Sequence, residues 1–214
     1  MEMKIKVCGM TKLEQLKELD EIGIDFTGLI FYQKSPRYVL DSALTPSELK
    51  KENLKIKKVG VFVNETAETV LNIVEEWGLD FVQLHGDESP VYCATISKHV
   101  NVIKAFRIGN HENILELTKP YVDAVSLYLF DTLGAQYGGT GEKFNWDLLN
   151  NIQLEKPYFL SGGLSPDDHG ILSETSAQDA QLYALDLNSK FEISPGIKDM
   201  NKIKQFAEKV KIIQ

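Results

Sequence analysis

The feature that most constrains this chain is a rhythm: short apolar runs alternate with longer amphipathic stretches along its whole length. The runs are Ile5–Cys8, Phe26–Phe31, Lys58–Val63, Phe81–Leu84, Val102–Phe106, Ala124–Phe130, Tyr158–Leu160 and Leu182–Leu187, giving eight candidate strands. Between them, Ala67, Val70, Leu71 and Val74 follow the i, i+3, i+4, i+7 spacing of a buried helical stripe, as do Ile203, Phe206, Ala207 and Val210. Strands that alternate with helices pair in parallel through right-handed crossovers. Eight such units fit a closed barrel better than an open doubly wound sheet of the flavodoxin type, the structural alternative. The expected fold is therefore α/β, a (β/α)8 TIM barrel built as a single domain over residues 1–214.

Helix starts support the reading. Thr45-Pro46-Ser47-Glu48 places a hydroxyl at the cap, proline in the first turn and a carboxylate three residues on. Ser89-Pro90 and Ser165-Pro166-Asp167-Asp168 repeat the arrangement. The weakest units are the second helix and the stretch after Phe130, where a glycine-rich loop interrupts.

Charge and cysteines exclude several classes. A formal net charge of -8 argues against nucleic-acid binding, which needs Lys and Arg to neutralise phosphates. Cys8 and Cys93, with no Cys/His cluster at zinc spacing, predict neither a disulfide framework nor a metal site. The opening residues hold no signal-peptide core, and no apolar stretch approaches the ~18–20 residues of a membrane span. The expectation is a cytoplasmic protein with no membrane partner.

In such a barrel the chemistry lies at the C-terminal ends of the strands. Cys8 ends the first strand, and period-two alternation puts Lys6 on its side of that strand. A lysine inside a barrel needs a carboxylate; closure brings strand eight beside strand one, so Asp186 is the expected partner. The resulting positive field is expected to favour a Cys8 thiolate. Asp131 follows the sixth run and reads either as a turn residue or as a rim carboxylate whose pKa apolar neighbours raise. Ser161-Gly162-Gly163-Leu164 follows strand seven and by itself reads either as a tight turn or as backbone N–H groups for an anion; with the polar and cationic groups of Asn188-Ser189-Lys190 and Ser194-Pro195-Gly196 after strand eight, the segments predict a phosphate site. Arg37, after strand two, can clamp a carboxylate. His85, ending strand four, reads equally as a ligand contact or a hydrogen-bonded packing residue. Gly138-Gly139-Thr140-Gly141 lacks Walker spacing and reads as a loop able to close over a ligand.

Taken in order, these segments resemble phosphoribosylanthranilate isomerase. The resemblance rests on Lys6-Val7-Cys8-Gly9-Met10-Thr11, Gly28-Leu29-Ile30-Phe31 with Ser35-Pro36-Arg37, Val59-Gly60-Val61-Phe62-Val63, Gln83-Leu84-His85-Gly86-Asp87-Glu88, Lys104-Ala105-Phe106, the Gly138–Gly141 cluster, Ser161-Gly162-Gly163-Leu164 and Pro195-Gly196-Ile197-Lys198-Asp199. It covers essentially the whole chain. It implies an intramolecular oxidoreductase, an aldose–ketose isomerase of tryptophan biosynthesis that needs no cofactor and takes a small phosphosugar. By the resemblance, Asp131 is the general acid and Cys8 the general base. Arg37 grips the anthranilate carboxylate, while Gly162, Gly163, Ser189 and Lys190 hold the phosphate and His85 and Asp186 complete the substrate-binding set. The family usually reads Asp-Val-Ser-Ser-Gly after strand eight; here Lys190 stands in place of that glycine. Phe144-Asn145-Trp146 replaces a common Phe-Asp-Trp.

Neighbouring phosphosugar barrels are the rivals. Indoleglycerol-phosphate synthase relies on a strand-end lysine and glutamate, and ribulose-phosphate epimerase needs metal-binding histidines, whereas the four here are scattered. A non-catalytic barrel would have lost the acid or the base, and both are present. A monomer is expected.

Overall fold

The eight apolar runs become eight strands because each carries β-branched or aromatic residues over a length suited to a strand buried on both faces. The computed structural model describes residues 3–109, 113–132, 149, 152–168, 179 and 181–212. The loop 138–141 and the segment 144–146 lie outside these residues. The strands are β1 (Lys4–Cys8), β2 (Phe26–Ile30), β3 (Lys57–Phe62), β4 (Phe81–Leu84), β5 (Asn101–Ile108), β6 (Leu127–Thr132), β7 (Tyr158–Leu160) and β8 (Leu182–Leu187). Each pairs in parallel with the next, and β8 pairs with β1 to close the barrel. That last pairing rules out the open sheet.

Helices α1 (Leu13–Ile22), α2 (Pro46–Lys51), α3 (Ala67–Trp77), α4 (Pro90–Ser97) and α5 (Ile114–Thr118) follow the first five strands, and α6 (Met200–Ile212) follows the eighth. The Thr45 capping box forms as expected, with Glu48 reaching back to the Thr45 N–H at 3.1 Å. The Ser89 hydroxyl caps α4 by accepting from Tyr92 N. Ser165 instead opens a 3-10 turn, Pro166–Asp168, and Asp168 accepts from both its N–H and its hydroxyl. On α6, Ile203, Phe206, Ala207 and Val210 are all buried. Each large apolar side chain so placed contributes roughly 1.5–3 kcal/mol of transfer free energy.

Alternation divides the strand residues between two cores. Phe26, Val59, Ile103, Ala105, Leu127, Leu129, Phe159 and Ala184 fill the barrel interior. Residues of opposite parity, such as Val82, Val102, Phe106, Tyr128, Phe130 and Leu185, join the larger core beneath the helices. The sixth strand lies further along than the apolar run suggests. Ala124 and Val125 are buried in the helix-side core ahead of the strand, whereas Asp131 and Thr132 pair with Arg107 and Ile108 of β5. Asp131 is thus held in the sheet and continues the inward series of Leu127 and Leu129 rather than opening a loop.

Candidate active site

A cavity of about 210 Å³ opens at the C-terminal end of the barrel. Its lining includes Cys8, Arg37, His85, Asp131, Gly162, Gly163, Asp186 and Ser189. Eight of the nine residues singled out from the sequence therefore converge. The exception is Lys190, whose side chain is exposed in the 3-10 turn Ser189–Phe191 and does not line the cavity. Its backbone does not adopt positive φ, so this turn does not require a glycine at that position.

The floor is made by the strands themselves. β1 and β8 pair with Lys6 opposite Asp186, and the Lys6 ammonium donates to both Asp186 oxygens at 2.9 Å. Lys6 is fully buried. Burial alone would lower its pKa, but Asp186 and the nearby Cys8 more than offset this, so the ammonium is held charged above its usual range. Cys8, one inward step further along β1, is 4% exposed. Here the outcome differs from the sequence expectation: burial pushes the thiol up, and Lys6 and Lys198 pull it back only in part. The expected positive field is present, but desolvation wins.

Across the mouth, His85 stands between Gln83 and Asp131. The Gln83 amide donates to His85 Nδ1 at 2.8 Å, which leaves the proton of the neutral ring on Nε2. His85 Nε2 lies 3.3 Å from Asp131 Oδ2, close but outside hydrogen-bond alignment. Among the described residues, Gln83 Oε1 and His85 Nε2 are buried without a hydrogen-bond partner, and both side chains border the cavity. Such groups favour a polar ligand. His85 thus stands with its ring beside Asp131 and against the cavity.

Arg37, expected from the sequence to clamp a carboxylate, already holds one within the protein. Its Nε and Nη2 donate to Glu192 Oε1 and Oε2 at 2.8 and 2.6 Å, a bidentate pair. This leaves Nη1 and the outer hydrogen of Nη2 for a ligand. Glu192 also accepts from Lys198 at 2.7 Å, and Lys198 donates to Asn188 Oδ1 at 2.9 Å. Burial would raise Glu192, but Arg37 and Lys198 together hold its carboxyl below the ordinary range. Gly9, at φ 79°, gives the Arg37 stem its path, since a Cβ there would lie 2.5 Å from Arg37 Cδ.

Glu192 and Lys198 were overlooked as a pair in the sequence, although a signal was available. Pro195-Gly196 marks a turn, and the strands around it, β9 (Glu192–Ser194) and β10 (Ile197–Lys198), set Lys198 opposite Glu192.

The phosphate-binding expectation falls on the loops after β7 and β8. Gly162 and Gly163 both hold positive φ, 89° and 73°, a conformation that side chains disfavour. Ser161 N is tied to Phe130 O at 2.9 Å, which fixes the start of the loop against β6. Among the described residues, no group of three or more His, Cys, Asp or Glu could hold a metal ion. Nor is any described helix long and apolar enough to cross a membrane.

Comparison with known proteins finds relatives over nearly the whole chain. The family model described as N-(5'phosphoribosyl)anthranilate (PRA) isomerase matches residues 5–209. An N-(5'-phosphoribosyl)anthranilate isomerase of Parabacteroides distasonis is 39% identical over 97% of this chain and 93% of its own length. One from Caldanaerobacter subterraneus is 40% identical over 98% of each. Among solved structures, the Thermotoga maritima phosphoribosyl anthranilate isomerase superposes with a TM-score of 0.82 at 33% identity, covering 98% of both chains. A phosphoribosyl anthranilate isomerase in complex with reduced 1-(o-carboxyphenylamino)-1-deoxyribulose 5-phosphate gives 0.79 at 31% identity over 98% of both.

Proposed function

The chain belongs to the N-(5'-phosphoribosyl)anthranilate isomerase family and is an isomerase of tryptophan biosynthesis; from that premise we propose that Asp131 and Cys8 carry out its rearrangement as acid and base. The observation that carries the proposal is their placement. β1 and β6 stand three strands apart round the closed barrel, and both side chains face the same cavity. An acid and a base on opposite sides of one small sugar are what the reaction requires.

The substrate is N-(5'-phosphoribosyl)anthranilate. Asp131, as the general acid, gives a proton to the furanose ring oxygen. The C1–O bond breaks as the anthranilate nitrogen's lone pair forms C1=N, opening the ring to a protonated Schiff base. The Cys8 thiolate removes the proton from C2, and the C2–H electrons form C1=C2 while the C=N pair returns to nitrogen. The resulting enolamine tautomerises to 1-(o-carboxyphenylamino)-1-deoxyribulose 5-phosphate. C2 is oxidised and C1 reduced by the same electron pair, so no external oxidant enters the balance.

The surroundings support these roles. Lys6 and Lys198 offset part of the cost of a buried thiolate. Arg37, held by Glu192, presents its remaining N–H groups to the anthranilate carboxylate. The phosphate is assigned to backbone N–H groups of Gly162, Gly163, Ser189 and Lys190, where Lys190 adds a charge at the outer edge. Asp186 acts below the substrate through Lys6. All these groups come from one chain, in keeping with a monomeric catalyst, although one Thermotoga maritima relative is described as dimeric.

The test is to generate phosphoribosylanthranilate in situ and follow its loss of fluorescence. The wild type should consume it, and Cys8→Ser and Asp131→Asn, each still folded, should lose roughly 10²–10⁴-fold in kcat. Near-wild-type turnover by either variant would remove that residue from its role.

A further inference from the structure

A further buried ion pair lies outside the reaction cavity. Lys104 on β5 has the parity of Val102 and Phe106, which face the helix-side core, and it is 3% exposed. Its ammonium meets the Glu88 carboxylate at 3.0 Å, ahead of α4. Neither residue borders the cavity, and neither can touch substrate there. A buried ion pair is seldom a better source of stability than apolar packing of similar volume. Its geometry therefore asks for another explanation.

The partners of the pair bracket His85. Lys104 Nζ donates to the carbonyls of Leu84 and Gly86, at 3.2 and 2.7 Å, one on each side of His85. Its third bond is to Glu88 Oε2. Glu88 in turn accepts from Gly86 N at 3.1 and 3.0 Å and from Asn64 N at 2.9 Å, which ties the same turn to the end of β3. The His85 N–H is held by Phe62 O at 2.8 Å. The approach of Asn64 is so close that a Cβ on Gly86 would lie 2.3 Å from Asn64 Oδ1. Leu84 O, His85 N, Gly86 N and Gly86 O thus each have a hydrogen-bond partner, a charged one at three of the four.

We propose that Lys104 and Glu88 are positioning residues: they lock the turn that carries His85, so that its imidazole presents Nε2 to Asp131. The inference rests on the reading of Asp131 as the general acid. Charge-assisted bonds to Leu84 O and Gly86 O resist the tilting of the peptide planes that would swing the ring away from Asp131. Gln83 sets the tautomer from the other side. The ion pair then supports, from behind, the ring that stands beside the proposed acid, as supporting bonds do in other preorganised sites.

The test compares the wild type with Lys104→Met, Glu88→Gln, His85→Asn and Val70→Ala, the last a core truncation in α3 remote from the turn. Readouts are kcat, KM, melting temperature and the ring ¹⁵N resonances of His85, assigned by their loss in His85→Asn. Lys104→Met should lower kcat about tenfold or more, in line with the sensitivity of reacting geometry to small displacements. KM should change little, and the His85 ring resonances should shift or broaden. Glu88→Gln, which keeps an acceptor oxygen, should retain more activity, and Val70→Ala should keep kcat despite its lower melting temperature. A folded Lys104→Met with wild-type kcat, beside a crippled His85→Asn, overturns this inference alone. Unchanged His85 ring resonances in Lys104→Met overturn it whatever the activity. If Asp131→Asn retains kcat, the reading beneath it falls. If Lys104→Met does not fold, Glu88→Gln carries the same comparison.

Discussion

Replacing Gly28 by alanine tests the placement of the proposed base with one methyl group. Gly28 on β2 is the register partner of Cys8. A Cβ built there lies 2.6 Å from Cys8 Sγ, 3.0 Å from its Cα and 3.2 Å from its Cβ. Optimal non-bonded separations run ~3.5–4 Å, so the thiol must retreat by about 1 Å. The backbone cannot give way cheaply, because Gly28 O accepts from Gly9 N at 2.9 Å and Met10 N at 3.0 Å. Overpacking of this kind costs about 1–3 kcal/mol. For a chain of this size that is a fall of roughly 2–12 °C in Tm. A reacting group misplaced by about 1 Å costs on the order of 10²-fold in rate. Gly28→Ala should therefore melt somewhat lower, keep its KM and lose about a hundredfold in kcat when assayed well below its Tm. Wild-type kcat in the folded variant would refute the argument, since no thiol moved that far could remain an aligned base.

Two further outcomes follow from the charges. With Cys8 as the proposed thiolate base, and burial holding its pKa above the ordinary thiol value, kcat should still be climbing above neutral pH. Lys6→Met removes a cation that lowers that pKa and should move the rise to higher pH, each unit costing about tenfold in thiolate below it; a flat profile, or a shift to lower pH, sinks the assignment. Glu192→Gln should raise KM several-fold, as expected when a charged clamp is loosened, with a smaller change in kcat. The folded pKa of Glu192 is depressed, so its contribution to stability is full above the unfolded value near ~4.3 and is lost as pH falls through the folded one. The Tm gap between wild type and Glu192→Gln should accordingly narrow on acidification; a gap that widens contradicts the sign.

What was legible in the sequence was whatever depends on periodicity. The eight strands, the Lys6–Asp186 pairing and the convergence at the strand ends follow from alternation and closure, and those rules need no side-chain detail. The sixth strand slipped because Ala124 and Val125 are apolar for a reason unrelated to the sheet: they pack beneath helices. The state of Cys8 was misjudged because a sequence can place Lys6 near the thiol but cannot weigh that charge against complete burial. Arg37 looked free because its partner is 155 residues away, on a hairpin whose turn was seen but whose cross-strand pair was not followed through.

The handling of positive charge in this barrel is at first sight odd for a site proposed to take a phosphate and a carboxylate. The buried lysines at 6, 104 and 198 each meet a carboxylate, at Asp186, Glu88 and Glu192, and Arg37 shares the last. Unpaired, each would face a desolvation cost of several kcal/mol and would lose its proton instead. Paired, they are poor anchors for a second anion, so affinity for phosphate must come from elsewhere. Backbone N–H groups at Gly162 and Gly163 can supply it without a buried full charge, because the dipole of a peptide costs far less to bury than an ion. The division has a mechanistic consequence. The lysines remain free to act on protein groups, Lys6 and Lys198 on Cys8 and Lys104 on the His85 turn, while the contacts proposed for the substrate are the backbone and the uncommitted edge of one guanidinium. Substitutions in the glycine loop should therefore appear mainly in KM, and substitutions in the lysine–carboxylate pairs at 6 and 104 mainly in kcat.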